Sequence, residues 1–150
     1  MGTIRRFQDL LVWQKGRELS KFVHHLTLKS PWRAGSKLRL QVLDSAESCP
    51  ANIAEGFERS GNAEFLNSLA IAKGSAGETA SHLYAAFDRG YITLEDQEAG
   101  VALAEEVCRL AGGLMTYLER SSLRGPKFRH RETSPNPLRS RPPKLPTELP

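Results

Sequence analysis

The polar residues best suited to chemistry fall in two short segments of the sequence. The first places an amide, a carboxylate, a glycine and a guanidinium at the i, i+3, i+4, i+7 spacing of one helical face. The second adds an amine, a hydroxyl and another carboxylate. In chain order these residues are Asn52, Glu55, Gly56, Arg59, Lys73, Gly74, Ser75 and Glu78. Such a set suits either a ligand or nucleic-acid surface, or a polar network that fixes helix register or a subunit contact; the residue types favour the network.

Two contacts are predicted if these segments lie on adjacent antiparallel helices. Glu55 would pair with Lys73, and the Asn52 amide would bond to the backbone near Gly74 and Gly77. Both contacts would lock the register of the two helices.

No arrangement of residues predicts catalysis, a metal or a cofactor. The sequence has no phosphate-binding glycine loop, HExxH, GxSxG or EF-hand loop. A di-iron bundle needs Glu-x-x-His pairs, and no glutamate is followed by a histidine three residues later. His24 and His25 point in different directions on a helix, which disfavours a shared metal. We therefore expect a protein that binds and is not an enzyme.

Proline and charge divide the chain near Ser122. Seven of the nine prolines lie in residues 126–150, with few apolar residues among them. Residues 124–150 carry a net charge of +5, and the first 123 residues carry −1. Residues 122–150 are thus predicted to be a disordered basic tail that contacts nucleic acid. The cations of this tail are Arg124, Lys127, Arg129, Arg131, Arg139, Arg141 and Lys144.

The cysteines and the hydropathy predict a soluble, cytoplasmic protein. Cys49 and Cys108 are far apart and have no CxxC spacing, so they are interpreted as small buried hydrophobic residues in a reducing compartment. No apolar run approaches the ~20 residues that span a bilayer. The first residues also lack the long uncharged core of a signal peptide.

Helical periodicity predicts four helices over residues 7–121. The first runs from about Asp9 to Lys29, and the second follows an N-cap at Ser36 and contains an interior Pro50 that should kink it. The third extends from a cap at Asn62 to Arg89. The fourth follows a Gly90 C-cap and a capping arrangement at residues 93–96. Short turns between long helices make antiparallel neighbours, so the predicted fold is an all-α, up-down four-helix bundle.

The third helix carries two stripes of different character. Its predicted core stripe is Phe65, Leu66, Leu69, Ala76, Leu83 and Phe87. The other stripe contains only small residues, namely Ala70, Gly74, Gly77, Ser81 and Ala85. An interior glycine costs about 1 kcal/mol relative to alanine, so two of them predict that another backbone approaches closely there.

The fourth helix has an unusually wide apolar sector. One stripe runs through Leu94, Val101, Ala104, Cys108, Ala111, Met115 and Leu118, and an adjacent one through Leu103, Val107, Leu110 and Leu114. This width predicts a contact with another subunit, and deeper burial within one subunit is the alternative.

Five sequence blocks resemble a known bacterial family. They are residues 7–10 (FQDL), 12–15 (VWQK), 48–57 (SCPANIAEGF), 72–78 (AKGSAGE) and 90–92 (GYI). The chain resembles the four-helix-bundle proteins encoded in intervening sequences of large-subunit ribosomal RNA genes. The resemblance implies a ring-like homopentamer without known enzymatic activity. Related in fold are the accessory variability determinant proteins of diversity-generating retroelements, basic pentamers that bind a reverse transcriptase and nucleic acid.

Two functions follow from the residues and the resemblance together. The first is a homo-oligomeric platform whose basic tails contact RNA or DNA; five tails would concentrate about 25 positive charges. The second is a protein–protein adaptor, such as the accessory subunit of a reverse transcriptase. The near-neutral net charge of residues 1–123 separates the chain from the basic retroelement proteins.

Overall fold

Four long helices make up nearly all of the ordered architecture. The computed structural model describes residues 4–29, 32, 36–59 and 61–121. A short 3-10 turn at Phe7–Asp9 precedes α1 (Leu11–Leu28), α2 (Lys37–Glu58), α3 (Asn62–Asp88) and α4 (Leu94–Arg120). The described ranges contain no strand. The predicted all-α four-helix bundle is confirmed, and the predicted tail lies outside the described residues.

The helix ends follow local capping chemistry. The hydroxyls of Ser36 and Thr93 each accept a hydrogen bond from the backbone N–H three residues later, at 3.1 Å, as the sequence predicts. Gly90 ends the turn after α3 with a φ of 72°, a left-handed conformation suited to glycine. The predicted cap at Asn62 is wrong by one residue. Asn62 is already helical, and the N-cap is Gly61, because its φ of 139° is open to glycine and strained for asparagine.

Each helix packs against two neighbours. Helix α3 packs against α2 and α4, and α1 packs against the same two helices. Consequently α1 and α3 lie diagonally across the bundle. Their outward faces point to opposite sides of the molecule.

The core forms where the apolar stripes meet. Six apolar positions recur at spacings of three and four along α2, and all are buried: Leu38, Val42, Ala46, Cys49, Ile53 and Phe57. The predicted core of α3 needs one correction, because Phe87 is 39% exposed near the end of its helix. Ala72, Thr79 and Ala86 are buried in addition to the predicted positions.

The proline of α2 lies at a close contact between α1 and α2. Pro50 is inside a continuous α2, as predicted, and packs against α1 at Gly16. A Cβ added to Gly16 would lie 3.3 Å from the backbone nitrogen of Pro50 and 3.6 Å from Cβ of Cys49. Glycine at position 16 therefore lets α1 approach α2 closely beside Pro50.

Candidate functional site

The central polar feature is a chain of hydroxyls between α2 and α3. Thr79 Oγ1 donates to Ser45 Oγ at 2.9 Å, and the Ser75 carbonyl, 2.8 Å away, is its alternative acceptor. One turn along, the hydroxyls of Ser48 and Ser75 are hydrogen-bonded at 2.9 Å. Asn52 donates to both the carbonyl and the hydroxyl of Ser48, each at 2.8 Å. We call these five residues the hydroxyl network.

The hydroxyl network is a satisfied internal structure. Thr79 and Ser45 are buried, and each has a hydrogen-bond partner across or along the helices. A typical intramolecular hydrogen bond contributes about 1 kcal/mol net, and leaving a buried partner unpaired costs about 1 to 3 kcal/mol. The network thus favours a single register of α2 against α3.

Two of the predicted network residues belong to this cluster. Asn52 and Ser75 both contact Ser48, which links them across the helix interface. The contacts predicted for Asn52 differ from the observed ones. Its amide bonds to Ser48 on its own helix, one turn earlier, and not to the backbone near Gly74 or Gly77.

The predicted charged residues pair within their own helices. Glu55 forms an ion pair with Arg59, and Glu78 lies 3.2 Å from the His82 imidazole. Among the described residues Lys73 makes no ion pair with Glu55. A partner four residues away on the same helix is already within reach, whereas a cross-helix partner must be placed by packing. The predicted constellation therefore does not converge at one site.

Gly56 is a packing residue. It is buried, and a Cβ at this position would collide with Cβ of Ser68 on α3 and lie 3.2 Å from the Phe65 ring. Phe65 and Phe57 meet edge to face beside it, with ring centroids 5.9 Å apart. Glycine at position 56 allows α2 and α3 to touch at their connected ends.

The small-residue stripe of α3 faces outward. Ala70, Gly74, Gly77 and Ser81 are exposed, and Ala85 is half-buried. Apart from the neighbouring residues and backbone of α3 itself, no heavy atom of the described residues lies within 4 Å of a Cβ built on Gly74 or Gly77. The close approach predicted at these glycines is therefore absent within the described subunit. We call Ala70, Gly74, Gly77 and Ser81 the α3 face.

Large apolar side chains flank the α3 face. Ile71 and Tyr84 are 46% and 52% exposed on its two sides. The wide apolar sector of α4 behaves differently, because Leu103, Leu110 and Leu114 pack against the core and are only half-exposed. Most of the α4 width is thus used within the subunit, and α3 has the more open apolar surface.

The two thiols differ in burial and in acidity. Burial, and to a smaller extent the proximity of Cys108, raises the pKa of Cys49 from 9.0 to about 12. Burial also raises the pKa of Cys108, and the Lys73 ammonium partly opposes this. Both thiols are therefore protonated at neutral pH, and a reactive thiolate is disfavoured.

The described residues contain no group of three or more acidic, histidine or cysteine side chains placed to hold a metal ion. Within the same ranges, no helix combines the length and apolarity needed to cross a bilayer. All seven tail cations predicted to contact nucleic acid lie outside the described residues.

Comparison with known proteins assigns this helical body to a family. The family model described as 23S rRNA-intervening sequence protein matches residues 8–113. The chain belongs to this family. A solved structure that is similar to this intervening sequence protein is a protein of unknown function from the S23 ribosomal protein family of Bacteroides thetaiotaomicron. It is 26% identical, the alignment covers 70% of this chain and 98% of that one, and the TM-score is 0.65. No match is found among curated proteins.

Proposed function

We propose that this intervening sequence protein is a non-enzymatic, self-assembling platform that associates with nucleic acid. The observation that carries the proposal is the α3 face. Its two glycines weaken an isolated helix by about 1 kcal/mol each relative to alanine, and no contact within the described subunit offsets this. A second subunit packed closely on the α3 face would use the space that the missing side chains leave.

The surroundings of the α3 face support a protein contact. No charged residue lies on the stripe itself, and the flanking Ile71 and Tyr84 leave large apolar surface in water. Interface cores are depleted in charged residues and enriched in aromatic ones. A contact between this face and a different face of the next subunit closes into a ring when the rotation permits. A homopentamer is the ring that the family resemblance implies.

Nucleic-acid association rests on the basic tail in this proposal. Because every subunit carries a tail of net charge +5, an assembly of several subunits concentrates positive charge on its tails. Such binding releases counterions, so it weakens steeply as salt rises and depends little on base sequence.

The test is RNA retention by the full chain and by a chain lacking residues 124–150. The shortened chain should keep its helical signal and its number of subunits but retain much less RNA. Equal retention by the two chains would refute the role of the tail. Pull-down with and without nuclease addresses the adaptor alternative, since a protein partner that persists after nuclease treatment would favour an accessory subunit of an enzyme such as a reverse transcriptase.

A further inference from the structure

The net charge of residues 1–123 is near zero, but positive and negative charges are unevenly distributed along this part of the chain. Residues 1–39 contain nine Lys and Arg but only two Asp and Glu, a net charge of +7. Residues 40–123 contain five Lys and Arg against thirteen Asp and Glu, a net charge of −8. Positive charge is therefore concentrated on α1 and the segments beside it, and the other three helices are acidic.

The cations of α1 include a row on its solvent face. Gln14, Arg17, Lys21 and His24 follow one another at spacings of three or four residues, and all are exposed. We call these four residues the α1 ridge. The ridge contains no carboxylate, and within the described chain no Asp or Glu oxygen lies within 4 Å of the Arg17 or Lys21 side-chain nitrogens. The two charges are thus available to an external anion.

An aromatic side chain lies beside the first cation of the ridge. The Arg17 guanidinium lies over the Trp13 ring, 5.8 Å from its centroid, and Trp13 meets Phe7 edge to face at 5.1 Å. This stacking restrains the guanidinium while leaving it exposed. Arg5, which is exposed, continues the positive charge beyond the N-terminal end of the helix, whereas Arg6 is paired with Asp9 at 2.9 Å.

We propose that the α1 ridge is a second nucleic-acid contact, one that binds the phosphate backbone of RNA. This inference rests on the proposed function and adds a surface on the folded body to the tail. Arg17 and Lys21 are separated by about 6 Å along the helix axis, so they present a short row of charge to a linear polyanion. The ridge binds phosphates without reading base sequence.

The chemistry of the ridge favours nucleic acid over an acidic protein surface. Protein interfaces have apolar centres from which charge is depleted, whereas nucleic-acid interfaces are polar and strongly positive. Between Gln14 and His24 the ridge presents no large apolar side chain to solvent. The diagonal position of α1 relative to α3 places the ridge on the side of the subunit away from the α3 face.

The test measures binding of the full chain to a fluorescein-labelled single-stranded oligouridine over a range of salt concentrations. The ridge variant carries Arg17→Gln and Lys21→Gln. The matched control carries Arg109→Gln and Arg120→Gln, which remove two exposed cations from α4 and change net charge equally. Loss of two phosphate contacts should lower the salt slope by about 1.4 and weaken binding roughly 10-fold near 0.15 M salt. The control should bind within about twofold of the parent.

The outcomes distinguish this inference from the function on which it rests. If the parent binds the RNA and both variants keep its salt slope, the ridge is no contact and the tail-based proposal stands. If the ridge variant forms an assembly of fewer subunits but binds RNA as the parent does, the ridge contacts another copy of the chain, and the inference fails. A parent that binds no RNA at any salt concentration overturns both. Mass and helical signal are measured for each variant, so that a folding defect is recognised.

Discussion

Replacing Gly74 by leucine should strengthen the subunit and weaken the assembly. Leucine is favoured over glycine in a helix interior by about 0.8 kcal/mol, and nothing in the described subunit lies within 4 Å of the new Cβ. The melting temperature of the dissociated subunit should therefore rise by a few degrees, about 3 to 5 °C for a domain of this size. From the sequence alone, the small-residue stripe suggested the opposite outcome, namely that leucine at position 74 would disrupt the packing of the subunit.

At a subunit contact the same leucine would overpack. Filling a close helix–helix approach costs about 1 to 3 kcal/mol, which corresponds to an association constant lowered by roughly 5- to 150-fold. The assay is a dilution series by sedimentation velocity, with thermal circular dichroism on the most dilute samples. Gly113→Leu is a matched control, because Gly113 is an exposed glycine of α4 that also has no described atom within 4 Å of an added Cβ.

The two variants should separate stability from assembly. Both should melt higher as dilute subunits, and only Gly74→Leu should dissociate more readily. If Gly74→Leu dissociates no more readily than Gly113→Leu, the α3 face is not the subunit contact. If it melts below the parent when dilute, the space beside Gly74 is not open, and the packing argument is wrong.

Two further predictions concern the interior. Gly56→Ala should lower the free energy of unfolding by about 1 to 3 kcal/mol, because the new methyl group collides with Ser68; urea denaturation that gives an unchanged midpoint would contradict this. Stability should also fall as pH rises from about 9 towards 12, because burial raises the folded-state pKa of Cys49 from 9.0 to about 12. Well below pH 9 the Cys49 thiol is protonated in both the folded and the unfolded state, so its ionisation does not lower the free energy of unfolding. At pH 10.5 the loss should be about 2 kcal/mol in the parent and mostly absent in Cys49→Ala; equal losses would assign the effect to other groups.

Much of the fold could be predicted because its signals are local. The six apolar positions of α2 recur at helical spacing, and all six are buried. Ser36 and Thr93 cap helices through their own hydroxyls, which needs no tertiary information. Gly61 was missed as a cap because its role depends on a backbone angle, and Asn62 has the more typical capping side chain.

The polar contacts were harder to predict because they depend on packing. Glu55 has the cation of Arg59 one turn away, so a local pair forms where a cross-helix pair was expected. Ser45, Ser48 and Thr79 were missed, although their recurrence beside the core positions of α2 and α3 was a usable signal. Serine and threonine hydroxyls at these positions are uncharged, and the bonds that join them across α2 and α3 form only where the two helices are in contact.

The direction of the α3 stripe was available in the sequence and was misinterpreted. At 100° per residue, Gly77 lies about 120° from Phe65 and from Leu83 in the core stripe. A stripe that far from the core faces outward from its own bundle. If the small residues of this stripe mark a close approach, the approaching surface belongs to another molecule and not to α2 or α4.

The mass of the full chain in solution tests the central claim most directly. Light scattering coupled to size-exclusion chromatography reports mass without reference to shape. The account predicts an assembly of several 16.6 kDa chains, near 83 kDa for the pentamer, with no major species at the subunit mass. A single species of 16.6 kDa at micromolar concentration would contradict self-assembly through the α3 face.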